Sequence, residues 1–520
     1  MLFNSVEFIF GFLPVTFAVF FLLARASHRL AAAWLTVASL FFYGWWDAKY
    51  LWLLGSSIVG NFLFGNAIAR ARSDVDASNG RTLLVVAITT NLLLLGYYKY
   101  ANFFVSTLAG LDVARFQFAQ VVLPLGISFF TFTQIAFLVD AYQGKVKEYN
   151  PIHYTLFVTY FPHLIAGPVL HHKEMMPQFS QASTYSIRAE NIAVGSTIFL
   201  IGLFKKTVLA DGVAPYATPV FTAANQGEMI SLFEAWSGAL AYTLQLYFDF
   251  SGYSDMAIGL SRLFGVTLPL NFNSPYKAAN IIDFWRRWHM TLSRFLRDYL
   301  YVPLGGNRHG AARRYLNLFI TMVLGGLWHG AGWTFVAWGA LHGAYLMVNH
   351  GWIKVRRRVG VGAGRGSMWG RLGARTLTLI AVIVGWVFFR AESFDVAMRM
   401  LAGMFGFHGV SLPSVILSGF GPLGKFLQEL GVKEALGGGT RFVSSYLWIV
   451  AVGAIALFAP NTQQLLERFA PALDHVPTQE RGHFEIRWQP SMRWAIAIGF
   501  LGAAGVLSMS RVSEFLYFQF

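Results

Sequence analysis

The sequence predicts an all-α polytopic membrane protein, and three observations carry the prediction. Of 520 residues, 55% are hydrophobic and only 12% charged, against roughly 25% charged in a typical soluble domain. Apolar runs close to the roughly 20 residues that cross a bilayer recur from end to end. Basic clusters sit in the short connections beside those runs, at Arg25 and Arg29, at Arg70, Arg72 and Arg81, and at Lys354, Arg356, Arg357 and Arg358. A soluble enzyme is excluded, and so is intrinsic disorder, because 17% aromatic content is the opposite of a disordered composition.

The runs fall near Phe8 to Ala24, Leu30 to Trp46, Tyr50 to Ala69, Leu83 to Tyr98, Val121 to Val139 and Tyr154 to Leu170. They continue near Ile192 to Val208, Ala235 to Phe248, Tyr315 to Val348, Leu377 to Phe389, Tyr446 to Phe458 and Trp494 to Met509. The first run lacks a basic leader and a small-residue cleavage pattern after Leu22, so it reads as a permanent span. Since Tyr315 to Val348 is long enough to pass twice, roughly 11 to 13 membrane segments are expected, some interfacial or re-entrant. The chain then forms one integral membrane domain over residues 1–520. The positive-inside rule puts the basic connections in the cytoplasm and the N-terminus on the opposite side. Arg365 to Arg375 reads as a basic cytoplasmic linker, and mixed inserts lie near Gly403 to Thr440 and Pro460 to Gln489.

Without cysteine there is no disulfide, thiolate metal site, iron–sulfur cluster or cysteine nucleophile. No nucleophile elbow, P-loop, zinc-protease helix or EF-hand pattern occurs, and no metal or nucleic-acid partner is expected.

Chemistry concentrates in two segments. Asp283 to Leu300, DFWRRWHMTLSRFLRDYL, projects at 100° per residue into an aromatic half and an arginine-rich half. The first half holds Phe284, Trp288 and Phe295, with His289 near its edge; the second holds Arg286, Arg287, Arg294 and Arg297. Such a helix either anchors in the membrane interface against anionic lipid, or binds donor phosphates through its guanidiniums together with Arg308, Arg313 and Arg314. His289 by itself reads more often as a satisfied structural histidine.

Tyr315 to Val348 holds 34 residues without Asp, Glu, Lys or Arg. As one straight helix it would extend about 51 Å, beyond the roughly 30 Å of a hydrocarbon core. It must break, and the break is written in GGLWHGAG, where His329 sits beside Trp328 among Gly325, Gly326, Gly330 and Gly332. An ionisable side chain at that depth is a functional candidate, suited to proton transfer near neutral pH. The alternative is a histidine bonded to a carbonyl freed by the break; His342 lacks the glycine setting and reads as structural. A third feature, FDFSGYSD, sets Asp249 and Asp255 beside Ser251 and Tyr253. These carboxylates either orient a catalytic histidine or bind a hydroxylated substrate, or else pair with Arg262 or Lys277. Lys205, Lys206 and His163 are further polar intrusions.

FWRRWHMTLSRFLRDYLYVPLGGNR from Phe284 and NLFITMVLGGLWHGAGWTFVAWGALHG from Asn317, taken together, resemble the membrane-bound O-acyltransferase (MBOAT) family, and most closely its bacterial alginate O-acetyltransferase branch. YKYANFF at Tyr98, LPLGISFFTF at Leu123, YFPHLIAGPVL at Tyr160 and QLYFDFSGYSDMAIGL at Gln245 extend the resemblance. It covers residues 1–390 as a family-like core and leaves 391–520 less characteristic. The resemblance implies that His329 is the active-site histidine and His289 its partner, inside membrane helices around a central tunnel. It also implies acetyl-CoA as cytoplasmic acyl donor, with no permanently bound cofactor. A bacterial inner-membrane location is implied too, with periplasmic proteins completing O-acetylation of an exported exopolysaccharide such as alginate. The physical reading agrees, since acyl transfer needs a base for the acceptor hydroxyl and donors for the oxyanion. Asp249, Asp255, Tyr253 and Trp328 are then candidates for orienting substrate. Other acceptors, cellulose or a D-alanylated polymer among them, and a polysaccharide transporter or channel, are the alternatives.

Overall fold

In lipid a backbone can satisfy its polar groups only within itself, so the apolar runs become helices. The computed structural model describes residues 1–73, 77–111, 120–146, 149–165, 167–359, 367–435, 438–473, 486–510 and 516. Among these, seven helices are long and apolar enough to cross a membrane: Glu7–Ala24, Ala48–Arg72, Asn79–Gly110, Ala189–Asn225, Met368–Arg390, Gly439–Phe458 and Met492–Ser510. Others that match the expected runs, His28–Gly44, Ile127–Tyr142, Leu232–Leu263, Gly310–His329 and Trp333–Arg358, are shorter or carry more polar side chains. The only strands among the described residues are two three-residue strands, Ser411–Pro413 and Lys433–Ala435. They pair in parallel with Ser411 opposite Lys433.

Two compact units emerge. The first joins Met1–Phe204, Gly252–Asn271 and Thr462–Ser510. Within it Leu13–Ala24 packs on His28–Gly44, and Leu51–Ser73 packs on Ala77–Leu95 and Ile127–Tyr142. Asn61 and Asn91 tie two of these helices by reciprocal amide hydrogen bonds of 3.2 and 2.6 Å, the polar link that lipid-embedded helices use in place of a hydrophobic drive.

The second unit joins Lys205–Ser251, Phe272–Asn461 and Arg511–Phe520. Its centre is a hairpin of Gly310–His329 and Trp333–Arg358, joined by Gly330 to Gly332 in extended backbone. The expected break therefore lies at the glycines. Gly326 and Gly339 face the opposite helix so closely that a Cβ on Gly326 would meet the Phe335 carbonyl, and one on Gly339 the Met322 carbonyl. Small residues are what allow that approach.

The structure corrects three expectations. Tyr154 to Leu170 is not one span: it divides into Pro151–Thr159 and the single turn Phe161–Leu164, with non-helical backbone from 167 to 171. Tyr160 leaves the helical region at ψ 111° two residues ahead of Pro162, which lacks an N–H and whose ring would crowd the carbonyl four residues back in a continuous helix. Asp283 to Leu300 is not one continuous helix either. Ile281–Trp285 stops, His289 adopts a left-handed conformation at φ 43°, and Met290–Leu296 restarts. Finally, Arg365 to Arg375 is not a linker beyond Ser367: the Ser367 side chain caps a helix that begins at Met368, while 365 and 366 lie outside the described residues. Residues 474–485 of the second expected insert also lie outside them.

Candidate active site

His329 is the last residue of its helix, immediately before the glycine break, and is 6% exposed. Its imidazole meets Trp328 at 4.9 Å between ring centroids, Trp338 at 5.2 Å and Phe389 at 5.2 Å, all near edge-to-face. Trp338 is held in turn by Trp285, Trp386 and His342.

His289 is fully buried between two short helices, its ring edge-on to Phe250 at 4.8 Å and 6.4 Å from Phe272. Its centroid lies 6.2 Å from that of His329 and 6.2 Å from the Trp328 indole. One small reacting group can touch both histidines at that separation. The left-handed backbone turns the His289 side chain inward although the continuous helical projection that suggested it does not hold. Backbone strain of this kind clusters at functional sites.

Of the four arginines, Arg286 is exposed and Arg294 half-buried. Arg287 pairs with Asp283 at 2.8 Å, and Arg297 with Asp298 at 2.7 Å. Arg286 and Arg314 both lie within electrostatic reach of His350, so positive charge gathers there from two separate segments.

The acidic motif is divided. Asp249 is buried beside Phe250 in sequence, yet its carboxylate meets Lys206 Nζ at 2.6 Å, not Arg262 or Lys277. Lys206 also holds Asp211 at 2.7 Å. Lys206 lies in a π-helical turn at Lys205–Ala210, and Asp211 is the first residue of the α-helix that follows it, Asp211–Asn225. Arg262 instead pairs with Glu190, and Lys277 donates to the Ala459 carbonyl. Tyr253 and Asp255 belong to the first unit, where Tyr253 stacks on Phe3 at 4.5 Å and Asp255 accepts from Thr462 Oγ1 at 2.5 Å.

The structure thus brings His289, His329 and Trp328 together and adds Phe250, Phe272, Trp338 and Phe389, which sequence reasoning did not single out. Phe250 had a signal in its place beside Asp249; the other three are ordinary aromatics in an aromatic-rich chain. Asp211 was missed because its partner Lys206 is five residues away, off the three- and four-residue spacing of an α-helical face.

A family model described as MBOAT, membrane-bound O-acyltransferase family, matches residues 16–371. A peptidoglycan O-acetyltransferase of Helicobacter pylori is 44% identical over 439 residues, covering 79% of this chain and 81% of the relative. A probable alginate O-acetylase of Azotobacter vinelandii is 38% identical over the whole length of both chains. One of Pseudomonas aeruginosa is 42% identical over 78% of this chain and 75% of its own.

Proposed function

Because this chain belongs to the membrane-bound O-acyltransferase family and is an O-acyltransferase, we propose that it moves acetyl from cytoplasmic acetyl-CoA across the bacterial inner membrane. The acetyl serves O-acetylation of an exported polysaccharide such as alginate, with periplasmic proteins completing the modification. The observation that carries this reading is the buried pair His289 and His329, 6.2 Å apart in an aromatic enclosure at a glycine break. The full-length similarity to an alginate O-acetylase supports the choice of polymer.

In this reading His329 takes the proton of the acceptor hydroxyl as its oxygen attacks the thioester carbonyl carbon. The carbonyl oxygen becomes an oxyanion, which His289 stabilises by donating an N–H. Collapse expels the thiolate, which recovers the proton from the His329 imidazolium. Trp328, Trp338 and Phe389 keep out water, which would otherwise hydrolyse the thioester. Arg286 and Arg294, with Arg287 and Arg297 after exchange of their carboxylate partners, bind the donor phosphates in charge-assisted hydrogen bonds. Asp249 fixes the segment that carries Phe250.

Transfer of labelled acetyl from acetyl-CoA in membrane vesicles, comparing wild type with His329→Ala and His289→Ala, tests the assignment. Label should reach polymer or a partner protein only with both histidines intact. Persistent transfer without both would remove the catalytic assignment.

A further inference from the structure

We propose that a polar pocket at the non-cytoplasmic end of the second unit binds a saccharide segment of the acyl acceptor, remote from the histidine pair. This rests on the acyl-transfer reading above and adds a second, binding-only site to it. The pocket is half open to solvent and has a cavity volume of about 260 Å³, near the lower end of small-ligand sites.

Its position follows from the chain. Met368–Arg390 is an apolar span whose start follows the basic residues Lys354 to Arg358 and itself contains Arg371 and Arg375. The positive-inside rule makes that end cytoplasmic. The connection emerging from the span, up to the next span at Gly439–Phe458, then lies on the other side. It supplies Ser411, Pro413, Ala435 and Gly438 to the pocket wall. Glu234 and Ser237, at the start of Leu232–Leu263, supply another wall. Phe250, which touches His289, is 13 residues beyond Ser237 on the same helix, a rise of about 20 Å. A ligand in the pocket is therefore too far from the histidines to be the reacting hydroxyl, and its binding energy serves to hold the acceptor.

The lining decides the ligand class. Glu234 and Arg441 lie within electrostatic reach of one another, and Arg441 donates to the Pro215 carbonyl at 3.2 Å, using one of five N–H donors. The Ser445 hydroxyl, on a residue 5% exposed, has no hydrogen-bond partner among the described residues. An acyl chain would leave these groups desolvated and unpaired. A phosphate would meet the Glu234 carboxylate. Vicinal sugar hydroxyls both donate and accept, as do those of Tyr216, Ser231, Ser237, Ser411 and Ser445. Tyr216 and Phe442 offer ring faces to the C–H surface of a pyranose.

The test is calorimetric binding of two probes, a short hexuronate oligosaccharide and a short cellulose oligosaccharide, to the full-length protein in lipid nanodiscs. Wild type should bind at least one of them saturably. Ala435→Phe, which fills the pocket, and Arg441→Gln should each raise Kd by about tenfold or more, the loss of one charge-assisted hydrogen bond or its equivalent in contact. Monodisperse elution and an unchanged unfolding temperature establish folding, and Arg441→Gln decides if the filled variant does not fold. His329→Ala should bind as wild type does while losing acetyl transfer. Absence of binding by either probe, or equal binding in the folded pocket variants, overturns the proposal. So does loss of a partner protein, with saccharide binding retained, in those variants. If His329→Ala keeps transfer, the catalytic reading falls and the binding result stands on its own.

Discussion

Replacing His329 and His289 singly and together measures whether the two rings act as one unit. A positioned general acid or base contributes typically about 10²–10⁴ in rate, about 3–5 kcal/mol of barrier. His329→Ala is expected to lose transfer by that factor, because its buried ring lies among Trp328, Trp338 and Phe389 and faces His289. The substitution at His289 must respect its backbone. With φ at 43° the position is left-handed, where asparagine is tolerated and alanine is strained. His289→Asn therefore isolates the imidazole, and a further loss in His289→Ala reports the backbone. Since the centroids are 6.2 Å apart, both rings act on one reacting group, and the double variant should fall little below the worse single variant. The assay is the initial rate of labelled acetyl transfer in vesicles, normalised to inserted protein. A His329→Ala rate within tenfold of wild type would refute the base assignment. Losses that multiply in the double variant would show that the histidines serve separate steps.

Three further outcomes are expected. Arg286→Gln should raise the KM for acetyl-CoA by about tenfold with kcat nearly unchanged, and the difference should shrink as salt rises; a salt-independent KM would place the donor phosphates elsewhere. Lys206→Met strands two buried carboxylates and should cost about 3–5 kcal/mol, read as lost monodisperse protein after a thermal challenge. The triple change Lys206→Met, Asp211→Leu, Asp249→Leu should recover most of it, and no recovery would argue against an electrostatic cause. Gly339→Val puts a side chain against the Met322 carbonyl and should cost about 1–3 kcal/mol or more while displacing His329. Thermal unfolding and transfer rate should fall together; wild-type values for both would mean that the helix pair has room to spare.

Membrane class and the hairpin break were legible because both follow from one-dimensional quantities, hydropathy and length. The span from Tyr315 to Val348 had to turn, and glycines marked where. The local path through Asp283 to Leu300 was not legible, because its periodicity continues smoothly across a point where tertiary packing bends the chain. Asn273 N–H donates to the Arg287 carbonyl at 2.9 Å, a bond between residues fourteen apart that no helical projection contains. The fate of Asp249 was hidden for a related reason. Its partner lies forty-three residues upstream, and the pattern offered nearer cations in Arg262 and Lys277. Trp338 and Phe389 joined the site without any signal, since in this composition a single aromatic carries almost no information.

The placement of charge explains why a site of rings suits this chemistry. Aromatic rings pack against both histidines, and several ionised groups are engaged with one another: Lys206 with its two aspartates, Arg287 with Asp283, Arg297 with Asp298. In the proposed mechanism acyl transfer creates a charge pair among these rings, an imidazolium on His329 and an oxyanion beside His289. At an effective dielectric of about 20, opposite unit charges about 5 Å apart attract by about 3 kcal/mol, against less than about 1 kcal/mol in water. That gain exists only once charge has separated, so it lowers the barrier without tightening ground-state binding. In the proposed mechanism the donor's phosphates stay outside the ring cluster, among arginines on exposed and half-buried positions of the neighbouring helix turns.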